Sequence, residues 1–248
     1  MAASYCGADV VKLQKRSLKA IPKEVAERVR SDSHSFGATE YEHRKALEFG
    51  IGQHSELKDL AVGLGMQYTA SAWDQESYDE LVDLGVPWIK IPSAHNLAWL
   101  RWNLEPVLPI HVSLGMTTIQ ERNEILDNCK GDPPVVPYAC TSTYPCNNED
   151  TYLLEIPELK RRFSKVGFSG HHRGIALDIG AFLLGAGVIE RHFTLDRAGK
   201  GTDHAASLEP EGLKKLCRDL KAVQSAWKRK PDDLPISEVS IRKKLKGL

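Results

Sequence analysis

The sequence predicts an α/β fold built on a parallel β-sheet, and three observations support this prediction. Seven short apolar or β-rich segments alternate with segments of helical pattern, which is typical of strand–helix–strand units with parallel strands. Several of these strands are apolar without interruption, which indicates burial on both faces. The stretch 166–194 contains two such strands joined by a helical segment with several small residues, as expected for one crossover unit.

Strands and helices are predicted in turn along the chain. The strands are expected at residues 10–14, 67–72, 88–92, 110–114, 136–140, 166–169 and 188–194. The helices are expected at residues 53–64, 76–84, 97–104, 118–128, 150–163, 174–184 and 211–228, and none before the first strand. Thr118 with Glu121 resembles a capping box, and Gly65 and Gly85 stand where helix C-caps are expected.

Seven strand–helix units are one short of an eight-stranded barrel. We therefore predict a (β/α)8 TIM-barrel type of fold with seven of its eight strands, and an open seven-stranded sheet is the alternative. The barrel domain is expected at residues 1–232, followed by a linker-like tail at 233–248. The polar segment 31–48 is expected to be a surface loop, although its place after the first strand also allows a functional role.

Composition narrows the class of protein. Lys plus Arg and Asp plus Glu number 33 each, so the balance of charge gives no case for binding nucleic acid or an anionic membrane. The five cysteines are odd in number and form no C-x-x-C pair, which favours a reduced compartment. No signal-peptide pattern opens the chain, and no apolar run approaches the ~18–20 residues of a membrane span. We expect a cytoplasmic protein.

Polar side chains stand at the carboxyl end of every predicted strand, where parallel α/β folds place their active sites. The set is Lys12, Gln14, Thr69, Ser71, Asp74, Lys90, Ser93, Ser113, Thr141, Ser142, Tyr144, Ser169, His171, Glu190 and His192. Taken singly, such a lysine more often snorkels at an edge and such a serine more often belongs to a turn. Because every strand ends this way, the set favours a site for an anionic, phosphorylated ligand.

A metal site is also predicted at these strand ends. His171 and His192 follow adjacent strands, so one divalent ion could bind both and complete its coordination with water or substrate oxygens. His172 and His204 are competing candidates, and a purely structural role for the histidines is equally open. Glu190 shares a strand face with His192 and could be an outer carboxylate or an acid–base group.

Seven motifs resemble the sialic acid synthases (N-acylneuraminate synthases), in the order GADVVKLQ, KIPS, SLGM, CTSTYP, GFSGH, ERHFTLD and GTDHAASLEP. The resemblance covers roughly residues 7–235, and the insertion HSFGATEYEHRKALEF is most similar to the animal-type branch, which prefers a phosphorylated acceptor. It implies a transferase with small-molecule substrates. Such an enzyme condenses phosphoenolpyruvate with N-acetylmannosamine or its 6-phosphate and releases inorganic phosphate. A divalent cofactor, Mn²⁺ or Mg²⁺, and a homodimer are expected.

The resemblance also implies roles for individual residues. The expected phosphoenolpyruvate-binding groups are Lys12, Lys90, Ser93, Ser113, Ser142 and Ser169. The expected acceptor-binding groups are Gln14, Tyr144 and Asp203, although a loop aspartate often only makes a turn. The expected catalytic groups are Glu190, His171 and His192, with the two histidines as metal ligands.

Three departures from the family pattern keep alternatives open. The family's first strand is expected to be absent before Gly7. Its C-terminal antifreeze-like domain, with an arginine that enters the partner's site, is also expected to be absent. His95 stands where the family usually has an acidic residue. The alternatives are a catalytically impaired variant that binds ligand or pairs with a full-length subunit, a synthase of a related nonulosonic acid such as legionaminic acid, and a fragment that does not fold alone.

Overall fold

The computed structural model describes residues 1–102, 104, 107–129 and 134–247. Seven strands form one sheet in chain order, and every neighbouring pair is parallel. They are β1 (Val10–Lys15), β2 (Gln67–Ala72), β3 (Ile89–Ile91), β4 (Ile110–Ser113), β5 (Val135–Cys140), β6 (Gly167–Gly170) and β7 (Val188–Arg191). The predicted parallel α/β fold is confirmed.

Helices follow most of the strands and cover the outer face of the sheet. They are α1 (Ala2–Tyr5), α2 (Lys23–Ala26), α3 (Glu40–Leu47), α4 (Ile51–Gly63), α5 (Gln75–Asp83), α6 (Ile119–Asn128), α7 (Glu155–Lys160), α8 (Ala176–Leu183), α9 (Pro210–Ala226) and α10 (Ile236–Lys246). Thr118 and Glu121 form the predicted capping box of α6. Gly65 and Gly85 have φ of 76° and 71°, the left-handed conformation that ends a helix.

The sheet is curled, because its first and last strands face each other across the interior. The Nζ atom of Lys12 on β1 lies 3.8 Å from Oε1 of Glu190 on β7. At the amino-terminal side of β1, Lys221 of α9 donates a hydrogen bond of 3.3 Å to the carbonyl of Gly7. The seven strands therefore form the curled, incomplete barrel that the sequence predicts.

The side chains of β3 show how the sheet separates an apolar core from a polar interior. Ile89 and Ile91 are fully buried in the hydrophobic core beside the helices. Lys90, between them, is 1% exposed and points to the opposite face, as the two-residue period of a strand requires. Polar side chains of the other strands also line the interior, so it is a polar cavity rather than an apolar core.

Several local predictions are wrong. The predicted helix 97–104 contains only a 3-10 turn, Trp99–Arg101, and residue 103 lies outside the described residues. The predicted helix 150–163 is divided into a 3-10 turn, Asn148–Asp150, and the short α7, because Tyr152 adopts a φ of 47° that no right-handed helix accommodates.

Three further segments before β2 are helical against expectation. The helix α1 precedes the first strand, α2 lies between β1 and the expected loop 31–48, and α3 occupies the second half of that loop. Thr39 and Glu42 form a capping box that starts α3, a local signal within a segment too polar to show an apolar period.

The tail after residue 232 carries α10, in which no residue is buried. Its status as a linker outside the barrel domain stays a prediction. None of the helices in the described ranges is both long and apolar enough to cross a membrane.

Candidate active site

A cavity of about 730 Å³ opens at the carboxyl ends of the strands. All twelve predicted site residues line it: Lys12, Gln14, Lys90, Ser93, Ser113, Ser142, Tyr144, Ser169, His171, Glu190, His192 and Asp203. They come from β1, β3–β7 and the loops that follow. Their individual roles stay predictions. Of the other predicted strand-end residues, Ser71 also lines the cavity, whereas Thr69, Asp74 and Thr141 do not. Thr69 and Thr141 instead donate to the carbonyls of Trp88 and Asp150, and Asp74 accepts from the backbone N–H of Ser77.

A carboxylate between two lysines forms the floor of the cavity. The Lys90 ammonium donates to Oε2 of Glu190 at 3.1 Å, and Lys12 lies 3.8 Å from the other oxygen. Burial alone would raise the pKa of Glu190, but the two lysines outweigh it and hold that pKa well below its usual range. Burial lowers the pKa of Lys90, and Glu190 opposes this shift. The floor therefore places two lysine side chains around one buried carboxylate.

Serine hydroxyls converge beside this floor around Gly115. A Cβ atom on Gly115 would come 2.7 Å from Oγ of Ser93 and would also collide with Oγ of Ser142. Nδ2 of Asn96 donates to the carbonyls of Ser113 and Gly115 at 3.0 and 2.9 Å, which holds the glycine in place. A side chain at residue 115 would displace these hydroxyls, so the glycine leaves room for Ser93 and Ser142 at the cavity.

The two predicted metal-binding histidines lie side by side, with ring centroids 5.3 Å apart. His171 Nδ1 is 2.7 Å from the carbonyl of Thr141, which only accepts, so Nδ1 carries the proton and Nε2 keeps a free lone pair. Burial lowers the pKa of His171 to about 4. Burial also lowers the pKa of His192, while Asp203, 3.8 Å away, partly offsets the shift. Both imidazoles are neutral at pH 7, as metal binding requires.

This pair fits a divalent ion only in an open coordination. Among the residues that the structure describes, no group of three or more His, Cys, Asp or Glu side chains is arranged to hold a metal. The competing candidates are engaged elsewhere. His172 is fully buried, with Nε2 3.4 Å from Asp178, and Nδ1 of His204 is 2.6 Å from the Thr194 hydroxyl. A metal would therefore use His171, His192 and oxygens of water or substrate.

The predictions missed an aromatic and cationic wall on one side of the cavity. The guanidinium of Arg16 lies 3.6 Å from the ring centroid of Trp73, and that of Arg44 lies 5.8 Å from the same ring. Across the opening, the Lys200 ammonium lies 4.7 Å from the ring of Phe36. A signal for Arg16 was available, because it continues the alternation of Lys12 and Gln14 by one more step of two residues.

A second group that the predictions missed supports Lys90 from below. Its ammonium lies 3.4 Å from the ring centroid of Tyr138, whose hydroxyl is 2.7 Å from Nδ1 of His111. The His111 ring stacks on Trp88 at 4.0 Å. These contacts fix the buried lysine from the face opposite to Glu190.

Comparison with known proteins identifies the family. A model of the NeuB family matches residues 1–231. The chain belongs to the NeuB family. It is 36% identical over 249 residues to N-acetylneuraminate-9-phosphate synthase of Mus musculus, covering 98% of this chain and 69% of that protein. It is 35% identical to N,N'-diacetyllegionaminic acid synthase of Legionella pneumophila, covering 95% of this chain and 70% of that protein.

A solved structure agrees with this placement. The crystal structure of N-acetylneuraminic acid (sialic acid) synthetase from Leptospira borgpetersenii, in complex with citrate, matches with a TM-score of 0.77 and 25% identity. The match covers 99% of this chain and 84% of that one. The resemblance to sialic acid synthases that the sequence motifs predict is therefore confirmed.

Proposed function

We propose that this NeuB-family chain is a phosphoenolpyruvate-dependent transferase of sialic acid biosynthesis. It joins phosphoenolpyruvate to N-acetylmannosamine 6-phosphate or N-acetylmannosamine, giving a sialic acid, or its 9-phosphate, and inorganic phosphate. The observation that carries the proposal is the floor of the cavity, where Lys12 and Lys90 flank Glu190 in the same cavity as the hydroxyls of Ser93 and Ser142. A small dianion with a phosphate and a carboxylate matches this arrangement.

On the donor side, the lysines and hydroxyls fix the enol phosphate. Glu190 lies 3.1 Å from the ammonium of Lys90 and 3.8 Å from that of Lys12, so one carboxylate is shared by both lysines. The Ser169 hydroxyl donates to Oε1 of Glu190 at 3.1 Å, which limits the rotation of the carboxylate. Holding phosphoenolpyruvate at this floor directs its nucleophilic C3 towards the histidine pair and reduces the entropic cost of the reaction.

On the acceptor side, we assign Gln14, Tyr144 and Asp203 to the sugar. A divalent ion, Mn²⁺ or Mg²⁺, on His171 and His192 would supply Lewis-acid polarisation of the aldehyde oxygen. The new bond joins C3 of phosphoenolpyruvate to the aldehyde carbon, and the balanced reaction takes up one water and releases one phosphate.

Phosphate release by the purified chain tests the proposal. With phosphoenolpyruvate and Mn²⁺, we expect release that depends on N-acetylmannosamine or its 6-phosphate. A chelator should stop the release, and added Mn²⁺ or Mg²⁺ should restore it. Lys90→Met should lower kcat/KM for phosphoenolpyruvate by roughly 10- to 100-fold, since a charged hydrogen bond is lost. No release with either sugar would contradict the proposal.

Two other candidates appear as outcomes of the same assay. The Legionella pneumophila relative favours a related nonulosonic acid, and turnover with a diacetamido hexose alone would establish it. Binding of phosphoenolpyruvate without turnover would establish a ligand-binding variant. We further propose a cytoplasmic homodimer, which sedimentation of the purified chain and cell fractionation would test.

A further inference from the structure

The relatives leave open whether the acceptor sugar is phosphorylated. The Mus musculus relative is named for a phosphorylated product, whereas the Legionella pneumophila relative, which is almost equally similar, is not. The structure bears on this question through the wall of the cavity that carries Arg16, Trp73 and Arg44. We propose that Arg16 binds a phosphate ester on the acceptor sugar and so selects a phosphorylated acceptor. This inference rests on the proposed function and deepens it.

Arg16 has the properties of an anion-binding group without its anion. Its Nη2 donates to the neutral amide oxygen of Gln14. Its Nε is buried without a hydrogen-bond partner among the residues that the structure describes. Glu48 accepts the backbone N–H of Arg16 at 2.9 Å rather than a guanidinium proton. No carboxylate among the described residues is paired with this half-buried guanidinium, so its N–H groups can donate to a phosphate.

The charges around Arg16 favour an added anion. Burial, followed by repulsion from Arg44, lowers the pKa of Arg16 to about 10, while Glu48, Glu40 and Asp203 act against this shift. Arg44 already has a carboxylate partner, because its Nε donates to Glu40 at 2.6 Å, and Glu40 also accepts from Arg30. Among the described residues Arg16 has no such ion pair, and a bound phosphate would supply the opposite charge that offsets its burial and its repulsion from Arg44.

The location suits the far end of the acceptor. Lys12, Gln14 and Arg16 follow one face of the chain from the floor of the cavity to its rim, spaced by about 7 Å at each step of two residues. The aldehyde carbon of the sugar must meet the donor at the floor, beside Lys12. Carbon 6 lies at the opposite end of the sugar, past Gln14, where Arg16 stands.

Trp73 makes the arrangement rigid. The guanidinium carbon lies 3.6 Å from the centroid of the indole ring, a contact that restricts the movement of the guanidinium, and His95 packs against the same indole at 5.1 Å. A fork held in one plane loses less conformational entropy when it binds a phosphate with two hydrogen bonds.

Isothermal titration calorimetry without phosphoenolpyruvate tests the inference, because it does not depend on turnover. The ligands are N-acetylmannosamine 6-phosphate, N-acetylmannosamine and inorganic phosphate. The wild-type chain should bind the sugar phosphate more tightly than either of the others. Arg16→Met should weaken binding of the sugar phosphate by roughly 10- to 100-fold and weaken that of the free sugar much less, since only the hydrogen bond from Arg16 to Gln14 is lost there.

Two control variants separate the effect of the planar guanidinium of Arg16 from the loss of a positive charge in general. Arg16→Lys keeps the charge and loses the planar fork, so an intermediate affinity for the sugar phosphate is expected. Arg218→Met removes an exposed arginine of α9 that is paired with Asp219, and should change nothing. Each variant must show the cooperative thermal transition of the wild type, and Arg16→Lys serves if Arg16→Met does not fold.

Two results would overturn the inference. They are equal affinity of Arg16→Met and wild type for the sugar phosphate, and inorganic phosphate binding to the wild type as tightly as the sugar phosphate. Failure of the proposed function looks different. In that case the sugar phosphate binds in an Arg16-dependent manner, but no phosphate is released from phosphoenolpyruvate.

Discussion

Replacing Gly115 with alanine tests the donor site with a single methyl group. The added Cβ would lie 2.7 Å from Oγ of Ser93 and 3.3 Å from the carbonyl oxygen of Cys140, and it would collide with Ser142. The backbone cannot retreat freely, because Asn96 holds the Gly115 carbonyl at 2.9 Å. The two hydroxyls must therefore turn away from the position where the phosphate is expected.

The size of the effect follows from the hydrogen bonds that are lost. A hydrogen bond to a charged group contributes about 1.5–3 kcal/mol, so losing one of the two hydroxyls should weaken phosphoenolpyruvate binding by roughly 10- to 150-fold. Calorimetry measures the dissociation constant, and steady-state kinetics measures KM. Arg16-dependent binding of the sugar phosphate should persist in Gly115→Ala, because the wall lies at the other end of the cavity.

A matched glycine provides the control. Gly63 lies in α4, and a Cβ there would meet nothing within 4 Å. Gly63→Ala should leave phosphoenolpyruvate binding unchanged and raise the free energy of unfolding by up to about 1 kcal/mol, the helix preference of alanine over glycine. If the dissociation constant of phosphoenolpyruvate for Gly115→Ala were within about three-fold of the wild-type value, a difference of less than 1 kcal/mol, binding through the hydroxyls of Ser93 and Ser142 would be refuted.

Two more predictions concern the group beneath Lys90. Tyr138→Leu removes the ring under the ammonium and should weaken phosphoenolpyruvate binding by roughly 5- to 30-fold, the range of a desolvated cation–π contact, whereas Tyr138→Phe should keep most of the affinity. Equal affinities for the two variants would refute a role for the ring. Burial, helped by Lys90, lowers the pKa of His111 from 6.5 to about 3, so the unfolded chain takes up this proton first as the pH falls. Stability is therefore lost below pH 6.5, and at pH 4 His111 accounts for about 3 kcal/mol of that loss. The free energy of unfolding, measured by urea denaturation, should fall between pH 7 and pH 4 by about 3 kcal/mol less in His111→Gln than in the wild type. An identical pH dependence would show that His111 is not the group responsible.

The site was predictable from the sequence where two simple rules act together, the alternation of side chains along a strand and the parallel pairing of neighbouring strands. The two-residue alternation along β1 and β3 points Lys12 and Lys90 inward, and parallel pairing brings the strand ends to one mouth. Because β6 and β7 are neighbours, His171 and His192 had to meet. These inferences need no knowledge of side-chain packing, and the structure places the residues as expected.

The wall escaped prediction because it depends on tertiary contacts. The strand was expected to end at residue 14, so the face of Arg16 was not assigned, and its stacking on Trp73 requires the register of β1 with β2. Arg44 lies in α3, a helix without an apolar period that is held by a capping box and by the pairing of Arg44 with Glu40. Local propensity does not reveal such contacts.

Labelled phosphoenolpyruvate tests the central claim most directly. The purified chain would be incubated with [3-¹³C]phosphoenolpyruvate, Mn²⁺ and N-acetylmannosamine 6-phosphate, and followed by carbon NMR together with a phosphate assay. The account predicts that the label appears in a methylene group bonded to the former aldehyde carbon of a nine-carbon acid, with one phosphate released per product. Label found only in the methyl group of pyruvate, or left in phosphoenolpyruvate, would contradict it.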